Sequence, residues 1–154
     1  MIPHSIFGVY YSKGGDPGTP LINRNFFPMA KVKVGYVDGF VLVVPKKNLD
    51  AYRKMARGGE KLWRKHGALD YKECWGDDLN PKWVTLTFPK MTKMKPSEIV
   101  VFSYIGYKSK AHRDKVNKLV MSDPSMNDPK YKKMKMPFDM KRMAYGGFKV
   151  IVGA

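Results

Sequence analysis

The chain has 154 residues, with 29 basic against 13 acidic side chains, a net charge of +16, 44% hydrophobic residues and one cysteine. That length and apolar content fit one domain with a core of its own. They exclude an internal disulfide, and the longest apolar runs, such as Phe40 to Pro45, fall far short of the about 20 residues a membrane-spanning helix needs. No charged start followed by an apolar stretch opens the chain, and the lone cysteine suits a reducing compartment, so the expectation is a cytoplasmic protein without a secretory signal.

Residues 1–34 read as an N-terminal extension and 35–154 as one domain. The first 28 residues hold four prolines and four glycines with no steady periodicity. The extension is expected either to be poorly ordered or to be a gene-model artefact, with translation starting at Met29; the second is preferred. Tyr36 to Val44 is β-branched and aromatic, a strand that Pro45 stops. From Lys46 the pattern turns helical, with Tyr52, Ala56, Gly59, Trp63 and His66 on one side and Gly67 as the closing glycine. Gly58 and Gly59 inside this helix each cost about 1 kcal/mol relative to alanine, and predict close packing or a kink.

Ala68 to Trp75 reads as the second strand. Leu79 to Ser97 contains Pro81, Pro89 and Pro96 and is mainly connection, within which Trp83 to Phe88 reads as a hairpin arm. Glu98 to Tyr107 is the third strand. Ser109 is an N-cap for a second helix, Ala111 to Met121, with Val116, Leu119 and Val120 facing inward. Ser122 to Asp139 is polar loop with one short helical turn, and Arg142 to Val152 is the fourth strand. The order β-α-β-β-α-β predicts an α+β, ferredoxin-like fold: an antiparallel sheet with two helices on one face.

Strand side chains alternate between faces. In the first strand Phe40, Leu42 and Val44 oppose Val37, Val41 and Val43. In the third Ile99, Val101 and Ile105 oppose Val100, Phe102 and Tyr104. In the fourth Met143, Tyr145 and Ile151 oppose Ala144, Phe148, Val150 and Val152. Two helices cover one face only, so the second predicts a homodimer joined through it. The competing expectation is that the connection Leu79 to Ser97 folds over that face.

The runs YVDGFVLVVP, ECWGDD, VVFSYIGYKSKAHRD and MPFDMKRMAYGGF, in this order between Tyr36 and Val152, resemble the YbaA-like family of small bacterial proteins of unknown function. The resemblance implies a ferredoxin-like subunit of the dimeric α/β-barrel type and implies no reaction. The chain departs from the family pattern at Gly58-Gly59, at Met140 where a glycine is expected, and in its excess of lysine.

Chemistry is thinly signalled. Cys74 sits among Glu73, Asp77 and Asp78, carboxylates that oppose a reactive thiolate, and only Lys72 favours one, so Cys74 reads as structural. One cysteine with His4, His66 and His112 has no zinc-ligand spacing. No metal and no cofactor are expected. Asp77 and Asp78 as an acid–base pair is weighed against a strand end and turn, and the turn is preferred. His112, early in the second helix, reads as a packing histidine or a base awaiting a carboxylate. Asp139 and Arg142 read as an ion pair holding the loop at the dimer seam, and Gly146-Gly147 as a bulge or a close approach of backbone or ligand.

Phosphate-binding loops, dinucleotide fingerprints and nucleophile elbows are missing from the sequence. The expected function is a module that binds a small molecule in a cleft, with Trp75, Asp77, His112, Asp139, Arg142 and Tyr145 as candidate cleft residues. The two alternatives are non-specific nucleic-acid (RNA) association through Lys130, Lys132, Lys133 and Lys135, and a monooxygenase-like enzyme by fold analogy alone.

Overall fold

A computed structural model describes residues 33–153. The expected extension, 1–34, lies outside the described residues except at its last two positions. Strand β1 spans Tyr36–Pro45, and a short 3-10 turn, Lys46–Asn48, leads into helix α1, Leu49–Lys65. Strand β2, Asp70–Trp75, follows, then a short helix α2, Phe88–Thr92, and strand β3, Glu98–Tyr107. Helix α3, Lys110–Met121, is followed by a 3-10 turn at Pro124–Asn127, the short helix α4, Pro129–Lys132, a 3-10 turn at Met140–Arg142, and strand β4, Ala144–Lys149.

The four strands form one antiparallel sheet in the order β2-β3-β1-β4. The β1–β3 pairing runs ten residues, from Tyr36 opposite Tyr107 to Pro45 opposite Glu98. β2 and β4 are the edges. α1 and α3 lie together on one face. Leu42, Val44, Tyr52, Ala56 and Val101 form one buried cluster, and Ala68, Ile105, Tyr107, Val116 and Val120 form a second. α1 ends at His66, and Gly67 takes φ +109°, a conformation a side chain resists. α3 begins at Ser109, whose hydroxyl accepts from the His112 backbone N–H at 3.1 Å, the expected cap.

Several expectations change in detail. Trp83 to Phe88 makes no strand; Thr87 instead opens α2, with Pro89 in its first turn, where the missing proline N–H costs nothing. β4 ends at Lys149 rather than Val152. Leu119, read as inward, is 42% exposed, because Val116 and Val120 take the buried positions of α3. Gly146 and Gly147 pair regularly with Gly39 and Asp38, without a bulge. The space above them is filled: a Cβ at Gly147 would strike the Tyr36 hydroxyl, and Cβ atoms at Gly39 and Gly146 would crowd the Phe148 ring.

The second face is covered at one end. Val43 and Val100 point away from α1 and α3, yet each is only 2% exposed, because α2 packs against β1 and β3. Arg142 ties this cover down. Its guanidinium donates to Glu98 at 2.6 and 3.0 Å and to the Thr92 and Lys93 carbonyls at 3.1 and 2.9 Å. The expected Asp139–Arg142 ion pair is therefore not formed; Asp139 instead accepts from the Lys141 backbone N–H at 2.9 Å, because it is the cap of the turn that aims Arg142 at Glu98. At the other end Phe102 and Phe148 stay open to solvent, Phe148 with 60% of its surface exposed.

Arg142 holds the Glu98 carboxyl below its ordinary range by hydrogen bonding. Arg142→Met leaves that buried carboxylate without its cation, and a loss of about 2 to 3 kcal/mol in urea unfolding is expected. The loss shrinks as pH falls through the lowered pKa of Glu98, because the protonated group no longer needs the guanidinium.

Candidate functional site

A cleft of about 630 Å³ lies between α1 and the edge strand β2. It exists because β2 has no neighbour on its outer side, while α1 crosses the sheet above it. Tyr71, Glu73 and Trp75 alternate with Lys72 and Cys74, so the first three point to the α1 side. From α1, Tyr52, Arg53, Ala56, Arg57 and Glu60 recur at three- and four-residue spacing and form the facing wall.

Glu73 is the centre of this cleft. Its two carboxylate oxygens accept separately, one from the Tyr52 hydroxyl at 2.7 Å and one from the Tyr71 hydroxyl at 3.1 Å. Gly59 allows the second contact: a Cβ there would lie 2.8 Å from the Tyr71 hydroxyl. The mid-helix glycine is thus a close-packing position rather than a kink. Burial pushes the Glu73 pKa up, against the hydrogen bonds from Tyr52, Tyr71 and Ser103, which favour the charged form. Both phenols are pushed well above the ordinary tyrosine value, by burial first and by the Glu73 charge second. At the rim the Arg53 guanidinium stacks 4.8 Å from the Trp75 ring centroid.

The six candidate cleft residues do not converge. Trp75 lines this cleft. Asp77 sits in the exposed turn past β2 and does not line it. His112 is half-buried, its Nδ1 accepting from the Lys108 backbone N–H at 3.1 Å and its ring edge-on to Tyr107, the packing outcome. Burial, with Lys108 and Lys115 nearby, lowers its pKa. Asp139 and Arg142 belong to the fastening of α2 described above. Tyr145 stacks on Phe40 and accepts from Arg113 Nη1 at 3.1 Å.

Arg113 is the hub of a second polar group under the start of α3. It also donates to the Tyr36 hydroxyl at 3.3 Å and lies 3.7 Å from buried Asp38. Burial raises the Asp38 pKa, with Arg113 opposing. Beside it Asn117 accepts from Trp63 Nε1 at 3.0 Å and from the Tyr107 hydroxyl at 3.3 Å. Of the lysines considered for a polyanion, Lys130, Lys133 and Lys135 are exposed along α4 and the following loop, and the Lys132 side chain lies outside the described residues. Cys74 is exposed on the face away from Glu73, opposite Phe102.

Sequence reasoning missed Glu73, Tyr52 and Tyr71 as a group. In the sequence Glu73 stands out only as a neighbour of Cys74, and Tyr52 only as one position of the stripe along α1. The available signal was the alternation of β2, which puts Tyr71, Glu73 and Trp75 on one side facing the apolar stripe of α1.

Residues 35–140 match a family model described as a protein of unknown function, DUF1428. The uncharacterized protein YbaA of Escherichia coli strain K12 is 48% identical over 117 residues, covering 76% of this chain and 97% of that protein. The uncharacterized protein YbaA of Shigella flexneri matches with the same identity and coverage. The chain belongs to this family. Every residue that lines the α1–β2 cleft falls within the matched span. No helix among the described residues is long and apolar enough to cross a membrane.

Two changes test the electrostatics of Glu73. Tyr52→Phe removes the hydrogen bond that most favours the carboxylate, so the Glu73 pKa rises further, as read by a carbon-13 NMR titration of its carboxyl. Glu73→Gln removes a group that folding prefers protonated. The melting temperature of this variant relative to the parent therefore increases as pH rises above the ordinary glutamate range, because only the parent then carries a charge that partial burial penalises.

Proposed function

We propose that this YbaA-like chain is a homodimeric, ferredoxin-like module that binds a small molecule in the α1–β2 cleft. The observation that carries the reading is the Glu73 carboxylate, held between two tyrosine hydroxyls in a cleft with an aromatic wall and an arginine rim. Ligand sites combine an apolar, concave lining with a few converging polar groups, and occupy about 300 to 1,000 Å³. A titratable group displaced from its ordinary range inside such a cleft adds to the case.

The dimer is supported by the open part of the second sheet face. Phe102, Tyr104 and Phe148 lie there with Val37 and Val41, and Phe102 and Phe148 expose much of their rings. The strand order, with both long helices on the opposite face, suits pairing of two such faces about a two-fold axis. The YbaA-like resemblance implies the same arrangement.

Binding is tested by adding sets of small carboxylates, phosphates and amines to nitrogen-15-labelled protein. Shifts of the Trp75 indole and the β2 amides are expected with at least one set, and Glu73→Ala should abolish them. No shift at the cleft with any set overturns the reading. Sedimentation tests the dimer separately: a two-chain species is expected, and Phe148→Asp should convert it to a single chain. A parent that sediments as one chain removes the dimer and leaves the cleft standing.

A further inference from the structure

The α1–β2 cleft is uneven in charge. Two of its charged groups are already paired: Lys72 with Asp70, and Glu60 with Arg64 at 3.2 Å. Arg57, one turn from Arg53 on the same side of α1, is exposed and makes no ion pair among the described residues. Arg53, stacked on Trp75, has as its ion-pair contact only Asp50 at 3.8 Å, at the surface. The rim thus offers guanidinium groups to an anion, and a carboxylate is the geometry a guanidinium fork matches in two hydrogen bonds.

Deeper in the cleft the polar groups are of another kind. Glu73 is a proton acceptor flanked by two neutral phenols; buried Tyr52, Ala56 and Val101 back it with apolar surface, while its outer side is open to solvent. A carboxylate beside hydroxyl donors in an apolar setting suits removal of a proton from carbon next to a carbonyl group. Once the base has taken the proton it donates back to the Tyr52 oxygen, and the Tyr52 hydroxyl is released to donate to the oxygen on which charge develops.

Resting on the binding reading above, we propose that the cleft takes a small 2-oxo carboxylate and interconverts its keto and enol forms, with Glu73 as the proton carrier. The substrate carboxylate lies against Arg57 and Arg53. Glu73 removes a proton from carbon 3, and the electron pair of that C–H bond becomes the double bond between carbons 2 and 3. The carbonyl π pair moves onto its oxygen, which takes the hydroxyl proton of Tyr52. Tyr52 recovers a proton from Glu73 across their 2.7 Å hydrogen bond. Tyr71, on the other carboxylate oxygen, keeps Glu73 oriented. One C–H bond is exchanged for one O–H bond, and no oxidant, reductant or second substrate is consumed. The upward displacement of the Glu73 pKa by burial fits this role, since a proton carrier works best near the ambient pH.

The test uses phenylpyruvate in deuterium oxide, with loss of its carbon 3 protons followed by proton NMR and corrected for the buffer rate. The full chain should accelerate exchange, and Glu73→Gln should cut the enzymatic part by about 100-fold or more. Arg57→Gln, at an exposed position where folding is not at stake, should raise the half-saturating concentration about tenfold while changing the maximal rate by less than about threefold. Exchange no faster than buffer, or equal exchange by Glu73→Gln, overturns the proposal. The Trp75 indole resonance, assigned against Trp75→Phe, is read in the same samples. If phenylpyruvate shifts it without exchange, proton transfer fails and the binding reading survives. If phenylpyruvate leaves it unmoved while other small molecules shift it, the 2-oxo acid fails and the cleft remains a binding site.

Discussion

Every other feature of this chain is arranged around the ten-residue pairing of β1 with β3. Both strands carry apolar side chains on both faces over most of that length. A sheet of this kind has to be dried twice, because water on either side of Val43, Val100 and Phe102 leaves apolar surface exposed. α1 and α3 supply one cover, closing over Leu42, Val44, Val101, Ile105 and Tyr107. The other cover is only partly supplied from within the chain. α2 seals Val43 and Val100, and Arg142 clamps it through Glu98. The rings of Phe102 and Phe148 lie beyond its reach, and that remainder is what the proposed dimer would bury.

The same constraint makes the cleft. Once α1 is committed to drying the centre of the sheet, it overhangs β2, which has no strand beyond it. The side chains of β2 that face α1 are half in the core and half in solvent. Tyr71 and Tyr52 bridge this boundary with their rings inward and their hydroxyls on Glu73. A carboxylate in such a place costs desolvation, and two phenols offset part of that cost. The result is a group whose charge is poorly stabilised but whose orientation is fixed, which is the usual condition of a carboxylate that handles protons.

The two polar groupings on the helix side differ in what they leave open. Asp38 is buried beneath α3 against half-buried Arg113, with Tyr36 and Tyr145 around them, and the group joins β1, β4 and α3. Glu73 faces a cavity. Both carboxyls have raised pKa values with burial as the first cause, yet only Glu73 is placed where a second molecule reaches it. A displaced pKa taken without the geometry would have ranked them alike.

Strand alternation, proline stops and the three-and-four spacing of α1 are local properties, so the sequence alone set the α+β class with four strands, the two faces of β1 and β3, the capping of α3 by Ser109 and the bounds of β3 to the residue. The family, too, was legible in four runs of residues. What tertiary structure decided is where separate segments meet. Arg142 chose Glu98, far away in the chain, over nearby Asp139, because the turn at Met140–Arg142 aims its side chain at the end of β3. Residues 83 to 88, with strand-like composition, form no strand; Thr87 is the N-cap position of α2 and Pro89 sits in its first turn, and that helix packs on β1 and β3. The site moved for the same reason. Tyr71 and Glu73 share one face of β2, which alternation makes legible, but Tyr52 comes from α1; only the crossing of α1 over an edge strand, with Gly59 at the point of contact, brings the second phenol onto the same carboxylate.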